Sequence, residues 1–210
     1  MVKKSKKVWG VRTMAEAASQ EVARLVFKEI LDGDRKKFLA KSNNDAEAGG
    51  GARDLRFGSV DQVKDTLKQL FPEVEQKTNK AGNAQFKGTF NWIDQNGEHQ
   101  QATALLKPPY LKRNEFRIAQ VHKYACFQVR PIPKASNSNR VLLMLIQRHD
   151  GSVWPHFVEE ISLRTPGAWD ESVSKPLLEC LDAKRAKNVA AMGFIDLSTS
   201  KKFCNGKQCF

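Results

Sequence analysis

The chain has 210 residues, 40% of them apolar, with 35 lysines and arginines against 23 acids and a net charge of +12. That length buries a core without staples and suits one domain with tails. No apolar run approaches the roughly 20 residues that span a bilayer, and no signal-type apolar core follows the N-terminal lysines, so a cytoplasmic, nucleoid-associated protein with no membrane partner is expected.

A cation excess of this size points to a polyanionic partner, because lysine and arginine displace the counterions condensed on nucleic acid. The surplus is clustered. Residues 1–12 hold Lys3, Lys4, Lys6, Lys7 and Arg12 and no acid, and residues 107–134 hold seven cations against Glu115 alone. The first cluster reads as a flexible basic arm that orders on meeting a partner.

Residues 13–31 read as a helix. Thr13 and Glu16 stand at capping-box spacing, Val22, Leu25, Val26 and Ile30 recur at helical intervals, and Asp-Gly-Asp at 32–34 is expected to end it. RKKFLAKS, 35–42, reads as a strand or a helix end, with strand preferred. NNDAEAGGGARDLRF then forms an irregular segment in which three successive glycines make positive φ and close backbone approach cheap. Ser59 opens a helix with Val60, Val63, Leu67 and Leu70 on one face, and Pro72 lies past its end.

The centre is strand-rich. AQFKGTFNWID and EHQQATALL flank Asn96-Gly97, the signature of a two-strand hairpin. NEFRIAQV, YACFQVRPI and RVLLMLIQR follow as strands, and VWPHFVEEISL is expected to close the sheet. Short strands at this spacing argue for a barrel or sandwich. A C-terminal helix is expected from a cap at Ser174 to Gly193, followed by a strand fragment and a basic tail.

Cys126, Cys180, Cys204 and Cys209 are too scattered for a disulfide framework and are expected to be reduced. His99, His122, His149 and His156 share no metal-ligand spacing, no serine lies in a nucleophile elbow, and AGGGARD lacks the Gly-Lys-Ser/Thr ending of a phosphate-binding loop. A metal nuclease needs hard oxygen ligands with a lysine nearby. Glu75-Gln76-Lys77 has the letters but lies in a polar stretch, and Glu159-Glu160 has serine where lysine is needed. No catalytic residue, metal or cofactor is assigned.

Taken together, NNDAEAGGGARDLRF and LKRNEFRI resemble the two arms of the N-terminal effector-binding domain of EcoRII-type restriction endonucleases. The first match falls on Asn44, Asp45, Gly50, Gly51 and Phe57, and the second on Arg113, Asn114, Glu115, Arg117 and Ile118; Leu70-Phe71-Pro72 matches between them. The likeness covers roughly residues 13–165. It implies an α/β (α+β) fold, a mainly antiparallel β pseudobarrel with flanking helices and a C-terminal helix. The corresponding organisation is a basic arm (1–12), a DNA-binding pseudobarrel (13–166) and a C-terminal helix with basic tail (167–210).

The resemblance further implies that the arms grip double-stranded DNA, each entering the major groove from one side. Arginine can bind guanine in a bidentate manner, asparagine can bind adenine and glutamate can accept from cytosine. The base-reading set is therefore Arg53, Arg56, Arg113, Asn114, Glu115 and Arg117. Lys41, Asn44, Gly50, Gly51, Lys107, Lys112 and Lys123 are expected against phosphate and backbone. Glu115, an acid amid cations, either reads a base directly or orders an arginine by an ion pair. On an alternating strand Phe116 and Ile118 face the core, with Asn114 on their side.

Where the family offers an imidazole and a phenol on the first arm, this chain has Ala52 and Phe57, with Arg53 and Arg56 as near substitutes. The family's following nuclease domain has no counterpart in this length. The expected function is a non-catalytic, sequence-specific reader of duplex DNA, such as the recognition component of a restriction or mobile-element system, whose C-terminal helix meets a protein partner. Two alternatives are a divergent metal-dependent endonuclease built on Asp150, Glu159 and Glu160, and an RNA-binding protein stacking bases on Phe86, Phe90 and Trp92.

Overall fold

The computed structural model describes residues 22–41, 53–58, 60–78, 84–109, 114–136, 138–184 and 189–205. They form a mixed α+β fold, mainly antiparallel strands in a curled half-barrel sheet with helices packed around it. The strands are β1 (Val22–Glu29), β2 (Leu55–Phe57), β3 (Glu73–Thr78), β4 (Ala84–Ile93), β5 (His99–Lys107), β6 (Phe116–Ile118), β7 (Val141–Arg148), β8 (Val153–Glu159), β9 (Met192–Asp196) and β10 (Lys201–Cys204). The α-helices are α1 (Asp32–Leu39), α2 (Val60–Leu70), α3 (Glu160–Arg164) and α4 (Glu171–Asp182). The sheet runs β10-β9-β1-β7-β8-β4-β5-β6-β2, with β3 paired to β4 off this path.

Residues 22–29 form a central strand where a helix was expected. β1 pairs antiparallel with both β7 and β9 and is buried on both faces, so its apolar residues form a near-continuous run that satisfies helical and strand spacing alike. Leu25 and Phe27 face one core and Val26 the other. Leu142, Met144 and Ile146 of β7 join the first core and Leu143 and Leu145 the second, so these two strands divide the molecule's two hydrophobic clusters.

Asp-Gly-Asp begins α1 rather than ending a helix, and most of 35–42, expected as strand, lies in it. Two acids in its first turn and two lysines in its last suit the helix dipole. Asp34 pairs with Lys28 of β1 and, at 2.6 Å, with Lys37, while Phe38 anchors the helix to the core. Burial pushes the Lys28 ammonium down, a shift that the neighbouring carboxylate opposes.

Several expectations hold. α2 carries Val63, Leu67 and Leu70 into the core, and Pro72 follows its end. β4 and β5 pair from Phe86↔Leu106 to Ile93↔His99, with Gly97 at φ +86° in the turn. The Asp94 carboxylate accepts from the backbone of Asn96 and Glu98 there, which holds its pKa below the usual range. β7 and β8 are antiparallel, and β8 meets β4 in parallel at Phe90↔Val153.

Other expectations do not. YACFQVRPI forms a 3₁₀ turn at Ala125–Phe127, not a strand, after an earlier one at Val121–Lys123; Phe127 enters the core, with Tyr124 and Cys126 packed against it. VWPHFVEEISL divides into β8 and α3. The C-terminal helix is capped by Asp170, which accepts from the Ser172 amide, and it ends at Asp182; Ser174 is buried within it. β9 and β10 then join the sheet beside β1. Cys180 of α4 and Cys204 of β10 form a disulfide, with Cα atoms 5.7 Å apart, where reduced thiols were expected.

Candidate nucleic-acid interface

The two stretches singled out in the sequence end as neighbouring strands. β2 pairs antiparallel with β6 through Leu55↔Ile118, Arg56↔Arg117 and Phe57↔Phe116. Alternation then sorts the side chains: Leu55, Phe57, Phe116 and Ile118 are all buried, and Arg56 and Arg117 stand on the other face.

Antiparallel pairing also sets where the preceding chain arrives. Arg53, whose carbonyl accepts from the Val121 amide, lies at one end of this ladder, and Glu115 and Gly58 lie at the other. Residues leading into β2 and those leading into β6 therefore attach at opposite ends, roughly 16 Å apart at about 3.3 Å per residue. That separation is comparable with the roughly 12 Å width of the major groove of B-DNA.

Cations line up across the strands on the outer face. Arg117 is cross-strand neighbour to Arg56 on one side and to Lys107 of β5 on the other. Like charges placed opposite one another on a sheet are destabilising, and two acids compensate. Asp54, 1% exposed, lies 3.5 Å from the Lys107 Nζ and 3.7 Å from the Arg117 guanidinium, and accepts from the Gln120 amide at 3.0 Å. Glu115 lies 3.4 Å from the Arg56 Nε, and its enclosed Oε1 accepts no hydrogen bond among the described residues. Glu115 thus has the ion pair that was one of its two expected roles.

Arg53 is placed differently from its expected base-reading role: at 2% exposure it is among the largest fully buried side chains and presents no guanidinium to a groove. Asn114 is exposed just before β6, not turned inward with Phe116 and Ile118. Lys41 at the end of α1 and Lys123 in the first 3₁₀ turn are exposed. Asn44, Gly50, Gly51, Lys112 and Arg113 lie outside the described residues. The residue sequence reasoning missed is Asp54. Nothing marked it among 23 acids until β2 and β6 were paired around it.

The carboxylates considered for a nuclease centre are each engaged structurally. Asp150 accepts from Ser152 within its turn, Glu159 accepts from Asn139, and Glu160 is bound by Arg140 and Arg164. Among the described residues no cluster of three or more acids, histidines or cysteines is arranged to hold a metal. Phe90 is fully buried against Phe71, Tyr124 and Phe127, which removes it as a stacking platform for bases; Phe86 and Trp92 are half-buried.

Compared with known proteins, the chain matches no protein-family model and no curated protein. Among the described residues no helix is long and apolar enough to cross a membrane.

Proposed function

We propose that the protein is a non-catalytic, sequence-specific binder of double-stranded DNA that addresses the major groove with the segments flanking β2 and β6. The observation that carries this reading is the cation row Arg56–Arg117–Lys107 on three adjacent strands, set between the attachment points of the two arm segments. Glu115 and Asp54 hold these cations in place, so less side-chain entropy is lost when they meet bases or phosphates. Arg56, the most exposed member, and Arg117 are the base readers from the described residues, joined by Arg113 and Asn114. Lys107, Lys123, Lys41 and the N-terminal lysines contact phosphate and set the register of the duplex.

The overall charge of +12 supports the same partner, because neutralising phosphates releases counterions. A restriction or mobile-element system is the setting that the resemblance favours, with a protein partner supplying any chemistry on the DNA.

Selection from a random pool of duplexes, with and without cytosine methylation, tests the reading. A recovered motif bound at least tenfold more tightly than random duplex is expected, at roughly 1.4 kcal/mol per tenfold. Recovery of no motif, or preference for single-stranded RNA over duplex DNA, overturns it.

A further inference from the structure

Two described residues other than glycine adopt a left-handed backbone, Gln120 at φ 48° and Ser200 at φ 55°. That region is uncommon for a residue with a Cβ, and residues held in it cluster at binding and switch sites. Ser200 has a local reason, since it lies in the turn that joins β9 to β10. Gln120 lies in no hairpin turn. It follows β6 at the end of the β2–β6 ladder where the first arm segment attaches, and opens the 3₁₀ turn at Val121–Lys123.

The acid that holds Gln120 also holds the cation row. Its amide donates to the Asp54 Oδ1 at 3.0 Å, while the Asp54 Oδ2 lies 3.5 Å from the Lys107 Nζ and 3.7 Å from the Arg117 guanidinium. Its carbonyl accepts from the Lys123 amide at 2.9 Å, so both main-chain polar groups of Gln120 are fixed. Asp54 is 1% exposed, and the next amide, that of Val121, is tied to the Arg53 carbonyl. Buried structure therefore sets the direction in which the Gln120 side chain leaves the backbone.

That side chain is half-buried, and its carboxamide makes no hydrogen bond with any described residue. Glycine would occupy the same backbone without strain, so the fold does not use the group that glutamine adds. Donor and acceptor are both available on a residue that shares Asp54 with Lys107 and Arg117. In the major groove one base edge matches the pair: adenine offers an N6 donor and an N7 acceptor, which glutamine binds in a bidentate manner.

We propose that Gln120 is a specificity-determining residue that reads an adenine at a position distinct from the one Arg117 reads. This assignment rests on the duplex-binding reading above, and it adds to that reading a contact from the first-arm end of the ladder.

The test compares the motifs selected from a random duplex pool by the full chain, by Gln120→Gly, by Arg117→Ala and by Ser200→Gly. Wild type should recover an adenine that Gln120→Gly no longer prefers, with affinity for the selected duplex about tenfold lower and affinity for random duplex unchanged. Ser200→Gly should keep the whole motif. Gln120→Gly should fold and melt close to wild type, because glycine tolerates the left-handed backbone, so a lost preference is not lost structure. An unchanged motif in Gln120→Gly, or equal losses on selected and random duplex, overturns the proposal and leaves the duplex reading standing. Loss of the same position that Arg117→Ala loses also overturns it, since Gln120 would then act only through Asp54. A wild-type chain that selects no motif sinks the duplex reading itself, and this assignment with it.

Discussion

Arg56 and Arg117 face each other as a cross-strand pair on β2 and β6, and each is matched by its own carboxylate, Glu115 for the first and Asp54 for the second. Because the two counter-charges are separate, the two arginines can be tested separately.

Arg56→Ala, Arg117→Ala and Arg113→Ala should each cost roughly 1–3 kcal/mol on a selected duplex and much less on random sequence, with preference relaxed at one position. Lys4→Ala should weaken all duplexes alike and reduce the salt slope by about one. Binding titrations at several salt concentrations provide the check, and equal losses on selected and random DNA for the arginine variants would contradict base readout.

Asp54 is where folding and the interface meet. Asp54→Ala leaves Lys107, Arg117 and the Gln120 amide without a shared acceptor, and should destabilise the protein by roughly 1–3 kcal/mol in urea unfolding. Asp54→Asn should cost less, since it keeps an acceptor for the amide. A loss no larger than that of the exposed control Asp61→Ala would show that Asp54 organises nothing.

Acid sensitivity should trace to Glu160. Hydrogen bonds from Arg140, then Arg164, hold its pKa near 2 instead of the usual 4.5. A carboxylate depressed in the folded state adds stability that is fully present above its unfolded pKa and is lost as pH falls through the folded one. Melting temperature should therefore drop between about pH 5 and pH 2, and Glu160→Gln should flatten that limb while lowering stability at neutral pH. An unchanged acid limb in the variant would refute the assignment.

The Cys180–Cys204 bond closes a separation of 24 residues between α4 and β10. By loop-closure entropy it should contribute about 3 kcal/mol. Reductant, or Cys180→Ser with Cys204→Ser, should lower the urea midpoint accordingly. Equal midpoints with and without reductant would show the thiols unpaired in solution.

How much of this was legible depended on whether a local pattern had one solution. Asn96-Gly97 between alternating runs has one, and the hairpin follows; Phe116 and Ile118 flank Arg117 in strict alternation, and their burial follows. Val22–Glu29 is apolar on both faces, so period alone could not separate strand from helix. α1 carries a single apolar anchor, Phe38, and no pattern of eight residues reveals a helix from one anchor. The Arg56–Glu115 pair and the place of Asp54 arise from contacts between segments distant in sequence, which no local window contains. Arg53 illustrates the reverse: a cation in a basic, glycine-rich stretch looked free to reach DNA, yet the strand it precedes draws it into the interior.

The β2–β6 ladder fixes the distance between two attachment points by main-chain hydrogen bonds and four buried side chains, none of which belongs to the segments that precede them. Insertions, deletions or wholesale exchange upstream of either strand leave that spacing untouched. Such a chassis offers protein engineers two grafting points whose geometry is known in advance.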